Sequence, residues 1–409
     1  MKKYKGDVLF LCQYFYPEYN SSALLPWDTA VYLAKSGIKV GALCGYPKEY
    51  VVDENVPDTE LTDNVSIKRL HYLSLKRGKK ITRLINFSSF TIRVILYLKE
   101  IGRYKSVLVY SNPPILPIAA IIAHKIYGTK IMFVSYDVYP EIASISEKIA
   151  TDGIITKAMN LVNRSLFKSV SGIVALSDDM KDYLLAHRRG IIQSKISVIP
   201  NWAHEGVCTL PSNELKQKHG FPENAFVVSY LGNMGICQDM QTIIDAVKIL
   251  SREDNIYFVF AGHGAKRELI EQTFSNNPKV KLLGYLTGNE FEEVLALSSC
   301  GIVSLNSGLN GKCAPSKYYS YLQSGCAILS VMEKDAYVSR EIEEKHAGYS
   351  VANGDSGALA EAILNLRNDS EKFGHMSSMA ATLYKEKYNK PIAMNKYAHM
   401  VKSVVSSDL

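Results

Sequence analysis

The chain has 409 residues, 47% of them apolar and 21% charged; this gives room for two or three domains with a sizeable core and excludes a disordered or low-complexity polymer. Its seven cysteines are scattered, odd in number and without a CxxC pair, which argues against a disulfide frame or a zinc site and for a reducing compartment. The formal charge of +7 is lopsided: residues 1–200 hold 27 Lys and Arg against 17 Asp and Glu, the rest 20 against 23, so the first half points to an anionic partner.

Taken in chain order, MKKYKGDVLFLCQYFYPE reads as a first strand, Val8–Cys12, and not as a signal peptide, because polar residues follow at once. QYFYPEYNSSALLPW reads as loop, Asp28–Lys35 as a helix stopped by Ser36-Gly37, and Ile38–Cys44 as strand two. Residues 46–64 read as loop and Val65–Leu70 as strand. The basic cluster KRGKKITR, Lys76–Arg83, leads into a helical stretch reaching Ile101, where Ile85, Ile92, Ile95, Leu96 and Leu98 alternate with Arg93 and Lys99. Ser106–Tyr110 is a strand, a helix ends at Tyr127 before Gly128, and Lys130–Val134 is a strand ending in SYDVYPE. Residues 144–170 read as helix, Gly172–Leu176 as strand, Ser177 as the cap of helix Asp178–Ala186, and Ile196–Ile199 as strand.

After a polar linker at 203–223 the pattern restarts. VVSYLGNMG and IYFVFAGHG are each strand then glycine turn, followed by helices over Thr242–Leu250 and from Lys266. Val280–Leu283 leads into GYLTGNE and a helix over Glu290–Leu297; Gly301–Leu305 is a strand. Gly311–Ser330 then reads as loop, helix Lys317–Gln323, turn and buried strand, before helices from Ala358 to the end. The fold class is therefore α/β, with two Rossmann-like, doubly wound parallel-sheet lobes facing a cleft: 1–202, 203–385, and a C-terminal helix at 386–409 packing back on the first lobe. No stretch reaches the about 18 apolar residues of a spanning helix.

In doubly wound sheets ligands sit at the C-terminal ends of strands. Three such ends stand out: Gly232-Asn233-Met234-Gly235, Gly262-His263-Gly264-Ala265-Lys266, and Pro315-Ser316-Lys317. Small residues let backbone N–H groups approach an oxyanion, Ser316 reads as an N-cap, and Lys317 and Lys266 supply charge, so the three together suggest a diphosphate. Taken singly, each is also what a tight turn or an ordinary helix start requires. Arg267 stands where the dinucleotide fingerprint would have its third glycine.

QYFYPE (13–18), SYDVYPEIA (135–143), VIPNW (198–202), YLGNMGICQ (230–238), FAGHG (260–264), LLGYL (282–286) and PSKYYSYLQSG (315–325) together resemble a family 4 glycosyltransferase of the GT-B fold. The likeness covers essentially the full length and lies towards the bacterial branch acting in capsule, O-antigen and colanic-acid synthesis. It implies a retaining hexosyltransferase using a nucleotide sugar, usually UDP-linked, without metal or other cofactor; no Asp-x-Asp pair is present to hold a metal on a diphosphate.

Carried over by position, the resemblance puts the nucleotide on the second lobe. Tyr285 and Leu286 flank the base through backbone groups. Gly235, Ser316 and Lys317 face the diphosphate, with Gly232, Gly262, Gly264 and Pro315 shaping the turns. Asn233 and Gln238 replace a phosphate-binding Arg and Lys, leaving Lys266 or Lys312 to supply charge. Lys312 and Ser320 stand where relatives often have two glutamates that touch the donor sugar and the ribose. In the first lobe, SYDVYPE places Asp137 and Glu141 at a strand end; the resemblance puts Asp137 beside the reacting centre, while helix capping explains an acid there equally well.

Tyr14, Pro17 and Asn20, on the loop after strand one, are candidates for acceptor recognition, or simply parts of a rigid loop. The basic stretch Lys76–Lys105 reads as a solvated face or as a contact with anionic lipid on the inner face of the plasma membrane. A lipid-linked acceptor would explain why the first lobe is the basic one; the expectation is a cytoplasmic, membrane-peripheral protein with a lipid-linked or saccharide acceptor, and no nucleic-acid partner, since no nucleic-acid motif appears. Two other classes fit the same pattern: a nucleotide-sugar epimerase of this fold, and a non-catalytic partner subunit, suggested by Lys312 and Ser320.

Overall fold

The computed structural model describes residues 4–47, 55–73, 75, 80–146, 149–203, 206 and 208–406. The chain divides into two compact units. One comprises Met1–Asn201, Gly311–Ala314 and Pro391–Leu409; the other comprises Trp202–Asn310 and Pro315–Lys390.

The first unit is built on eight strands: β1 Gly6–Cys12, β2 Val40–Gly45, β3 Thr59–Thr62, β4 Val65–Leu70, β5 Tyr104–Tyr110, β6 Lys130–Ser135, β7 Val170–Ala175 and β8 Ile196–Val198. Their order is β3-β4-β2-β1-β5-β6-β7-β8, parallel throughout except for β3 against β4. Strands covered by helices on both faces must be apolar on both. Val8, Leu9, Phe10 and Leu11 are accordingly all buried, as are Val107, Leu108 and Val109. The order reverses between β1 and β5, so the C-terminal ends there form the switch point of this sheet.

Several sequence expectations are corrected here. The first helix runs from Ser21 to Lys35, seven residues earlier than read, because Asn20 has an extended backbone and its Oδ1 accepts from the Ala23 N–H at 3.1 Å. Pro26 lies inside this helix, buried, and had suggested a loop. The 46–64 loop contains β3, joined to β4 through Asp63 and Asn64, both at positive φ (48° and 64°). That is a two-residue hairpin turn. The single helix at 144–170 is two, Glu141–Ser146 and Ile154–Ser169. The helical stretch ending at Ile101 breaks at Tyr97 into Lys80–Leu96 and Leu98–Ile101. Of the basic cluster, Lys76, Arg77 and Lys79 lie outside the described residues. In the C-terminal helix Lys390–Ser406, Asn395 accepts from the Tyr32 hydroxyl at 2.6 Å and the Val404 carbonyl accepts from Lys130 Nζ at 3.0 Å.

The second unit carries β9 Phe226–Leu231, β10 Ile256–Ala261, β11 Val280–Leu283, β12 Cys300–Ser304, β13 Ala327–Val331 and β14 Gly348–Val351. All are parallel, in the order β11-β10-β9-β12-β13-β14. The reversal lies between β9 and β12. Strand β14 and the helix Tyr337–Glu344 before it were not read from the sequence; that helix is eight residues long and mostly polar, with Val338 and Ile342 its buried aliphatic side chains, and β14 has four residues.

Candidate active site

At the C-terminal end of β9, Gly232 has φ 128°; Gly262 and Gly264, after β10, have φ 131° and 141°. These values suit glycine alone. A Cβ at Gly262 would collide with the Gly232 carbonyl, and one at Gly264 with that of Met234. The turns after β9 and β10 are thus packed backbone to backbone.

That packing corrects the expectation of open amides. Gly232 N–H donates to the Ala261 carbonyl (2.8 Å), Met234 N–H to His263 (2.7 Å) and Gly262 N–H to Gly284 (2.9 Å). Gly235 N–H donates to Gln238 Oε1 at 3.0 Å, so this glutamine, placed where relatives carry a lysine, occupies the amide. Four amides of these turns, that of Gly235 among them, already have acceptors. Arg267, noted in the sequence only as a missing glycine, fastens the same region: its Nη1 donates to the carbonyls of Gly262 (2.7 Å) and Leu283 (2.6 Å).

Ser316 also departs from the expectation. It occupies the N-cap position with a helical backbone (φ −58°, ψ −31°) and no side-chain capping bond. The helix Lys317–Gln323 has seven residues, and Tyr318, Tyr319, Tyr321 and Leu322 are all buried. Its short dipole is a minor source of potential. What stands out is Lys317. Its Nζ lies 3.4 Å from the Tyr230 ring centroid, and its Cε would be 3.5 Å from a Cβ at Gly232. Part of the residue still reaches the surface, but desolvation of the ammonium holds its pKa well below the ordinary lysine range. Among the described residues no carboxylate pairs with it; the aromatic face is its only compensation.

Of the other candidates in this unit, Ser316, Asn233, Lys266 and Tyr285 are exposed, Leu286 and Ser320 are half-buried, and Pro315 is buried. Lys266 donates its N–H to the Met234 carbonyl (2.8 Å). The Tyr285 ring lies 5.6 Å from that of His263. Asn233 accepts from the Tyr230 hydroxyl at its carbonyl (2.9 Å).

In the first unit, Asp137 follows β6. Ser111 Oγ, at the end of β5, accepts from the N–H groups of Tyr136 (3.0 Å) and Asp137 (3.1 Å). Asp137 forms an isolated antiparallel bridge with Cys313, and Val138 N–H donates to the Lys312 carbonyl at 2.8 Å. Lys312 therefore belongs to this unit, its Nζ 5.3 Å from the Tyr183 ring. The Asp137 carboxyl is raised to about 6, by burial chiefly, with Arg83 opposing. No helix begins at Asp137, so the capping alternative falls; the next helix starts at Glu141. Glu141 itself is engaged, pairing with Arg188 Nη2 at 2.5 Å and accepting from the Tyr183 hydroxyl at 3.2 Å.

The loop after β1 is held by aromatic packing. Tyr16 stacks on Trp27 at 4.5 Å and Phe15 meets the same ring edge-on at 5.6 Å. The Tyr16-Pro17 bond is cis, Tyr14 and Pro17 are half-buried, and Asn20 is the helix cap described above. Among the described residues no cluster of His, Cys, Asp and Glu is arranged to hold a metal, and no helix is long and apolar enough to cross a membrane.

Residues 225–369 match the family described as Glycosyl transferases group 1. The chain is 26% identical over 307 residues to the probable glycosyltransferase WbjE of Pseudomonas aeruginosa, covering 73% of this chain and 75% of that protein. It is 21% identical over 262 residues to the putative colanic acid biosynthesis glycosyl transferase WcaI of Escherichia coli K12, covering 61% and 63%. Among solved structures, Anabaena Alr3699/HepE in complex with UDP and glucose superposes with a TM-score of 0.72 at 15% identity, over 97% of this chain and 100% of the other. The group 1 match thus lies in the second of two parallel-sheet lobes, and the fold is of the GT-B type.

Proposed function

We propose that the chain is a glycosyltransferase that moves a hexose or N-acetylhexosamine from a UDP-linked donor to a lipid-linked or saccharide acceptor, with retention and without metal, in the synthesis of a cell-surface polysaccharide. The observation that carries the donor half is Lys317: a partly desolvated ammonium on an aromatic face, with no carboxylate paired to it among the described residues and set at the switch point of the second sheet, suits a leaving diphosphate. HepE, similar in fold, is described with UDP and glucose, and WcaI is named for colanic acid biosynthesis; both agree with the reading. Retention without a protein nucleophile requires orientation and stabilisation of the leaving phosphate more than covalent chemistry. In the first unit, a carboxyl at about 6 is matched to accepting a proton from an acceptor hydroxyl near neutral pH.

The acceptor half of the proposal rests on the first unit's surface. The helix Lys80–Leu96 exposes Leu84, Ile92 and Leu96 beside Arg83 and Arg93, and Ile154–Ser169 exposes Ile154 and Leu161 beside Lys157 and Arg164. Apolar side chains interleaved with cations suit an anionic lipid surface, each cation contributing about 1 kcal/mol. The test is release of UDP from UDP-sugars with and without lipid-linked saccharide, in the presence of a chelator. Release that depends on acceptor and survives chelation supports the proposal. Turnover without acceptor would favour an epimerase, and failure to bind UDP a non-catalytic subunit.

A further inference from the structure

Strands β9 and β12, the neighbours at the switch point, are joined over a short span. Their register pairs Cys300 with Val228 and Gly301 with Ser229 and goes no further, whereas β12 pairs with β13 along all five of its residues. Beyond Ser229 the place of β12 is taken by one side chain. Tyr321, fully buried, donates its hydroxyl proton to the Ser229 carbonyl at 2.9 Å and accepts from the Leu231 N–H at 2.8 Å. A phenol thus replaces a strand as hydrogen-bonding partner for the last residues of β9. Its ring lies where a Cβ on Gly301 would be, so a glycine in β12 is the condition for its entry.

The same two-turn helix carries Lys317, one turn before Tyr321. Lys317 lies over the ring of Tyr230, between the two residues that Tyr321 binds, and against Gly232, the next residue along. The end of β9 and the start of its glycine turn are therefore held by one helix at two points four residues apart. We infer that Tyr321 is a positioning residue: it wedges β9 from β12 at the switch point and fixes the Lys317 ammonium over the crevice so formed. This rests on the reading of Lys317 as a phosphate-binding group and adds what sets its position. Other hydroxyls of this helix are turned elsewhere. Tyr318 donates to Glu341 at 2.8 Å, and Tyr319 meets the Tyr337 hydroxyl.

The test is a double-mutant cycle on UDP affinity with Tyr321→Phe and Lys317→Met, and Tyr318→Phe as the control on the same helix. Tyr321→Phe keeps the ring but leaves Leu231 N–H and Ser229 C=O without their partner. The expected result is about tenfold weaker UDP binding in the wild-type background and a far smaller change in the Lys317→Met background, because the phenol acts through the lysine. A loss of similar size in both backgrounds, or an unchanged affinity in Tyr321→Phe, overturns the inference. Tyr318→Phe lowers stability with UDP affinity kept; a loss of affinity equal to that of Tyr321→Phe overturns it too. If Tyr321→Phe does not fold, amide exchange in the wild-type protein decides: UDP slows exchange at Leu231 and leaves Val331 of β13 unchanged, and no slowing at Leu231 contradicts the proposal. Absence of UDP binding to wild type would instead remove the donor reading itself, a result distinct from additivity in the cycle.

Discussion

Each unit places an ionisable group in a poorly solvated position at the C-terminal end of its sheet, but the two solve the resulting problem differently. Asp137 in the first unit has Arg83 nearby and its backbone held by Ser111, and burial still raises its carboxyl to about 6. Lys317 in the second unit has an aromatic face and no countercharge among the described residues. An acid partly neutralised by protonation near pH 6 is suited to moving a proton. A lysine kept without an anion is suited to receiving one from a ligand. The difference teaches that the candidate catalytic group and the candidate binding group can be told apart by what compensates each charge, before any ligand is seen.

Removing the carboxylate tests the first half of that contrast. Asp137→Asn lowers turnover by about 10³-fold while UDP affinity is kept. The substitution also changes stability with a definite sign. Because the folded carboxyl is raised above the unfolded value of 3.8, the folded state binds more protons between about pH 4 and pH 6, and wild-type stability falls as pH rises through that window. The Asn variant lacks this fall and is the more stable protein at pH 7, as thermal melts at a series of pH values would read.

Lys317→Met tests the second half. UDP affinity falls by about 10²-fold, the size expected for a charge-assisted bond to phosphate, while the apo protein gains stability because a poorly compensated ammonium is gone. Here the linkage has the opposite sense. The folded lysine is depressed, so the folded state binds fewer protons than the unfolded, and wild-type stability rises with pH through the interval below 10.5. The variant loses that rise.

Two smaller effects sharpen the comparison from the structural side. Gly264→Ala, at φ 141° and against the Met234 carbonyl, destabilises the second unit by about 2 kcal/mol, read by chemical denaturation. Glu141→Gln breaks the contact with Arg188 and lowers stability by about 1 kcal/mol. Transfer activity remains within a few-fold of wild type, which separates the two acids of SYDVYPE.

The strands were legible in the sequence because parallel strands covered on both faces must be apolar runs, as β1, β5, β9 and β10 are. Helix starts were less legible where polar loop residues and proline masked them: Asn20 caps a helix that contains Pro26, and Asp63-Asn64 closes a hairpin inside what read as loop. The site was legible in its positions and not in its bonding. Gly232, Gly262 and Gly264 were singled out for approach to phosphate, yet the backbones they admit are one another's. Which acceptor takes an amide proton depends on the neighbouring turn, and for Gly235 on a side chain three residues away. Lys317 was singled out for its place at a helix start; its desolvation and its seat on Tyr230 come from the packing of β9 against a helix nearly ninety residues later, which no local pattern encodes.

The most direct test of the donor site is calorimetric titration of UDP at pH 8.5 in buffers of different ionisation enthalpy, where the ligand's phosphates are fully ionised. Wild type is expected to bind UDP more tightly than Lys317→Met and to take up more protons than the variant on binding, because the ligand raises a lysine that desolvation holds below its ordinary range. UDP binding of equal strength to both proteins, with no proton linkage in either, would contradict it.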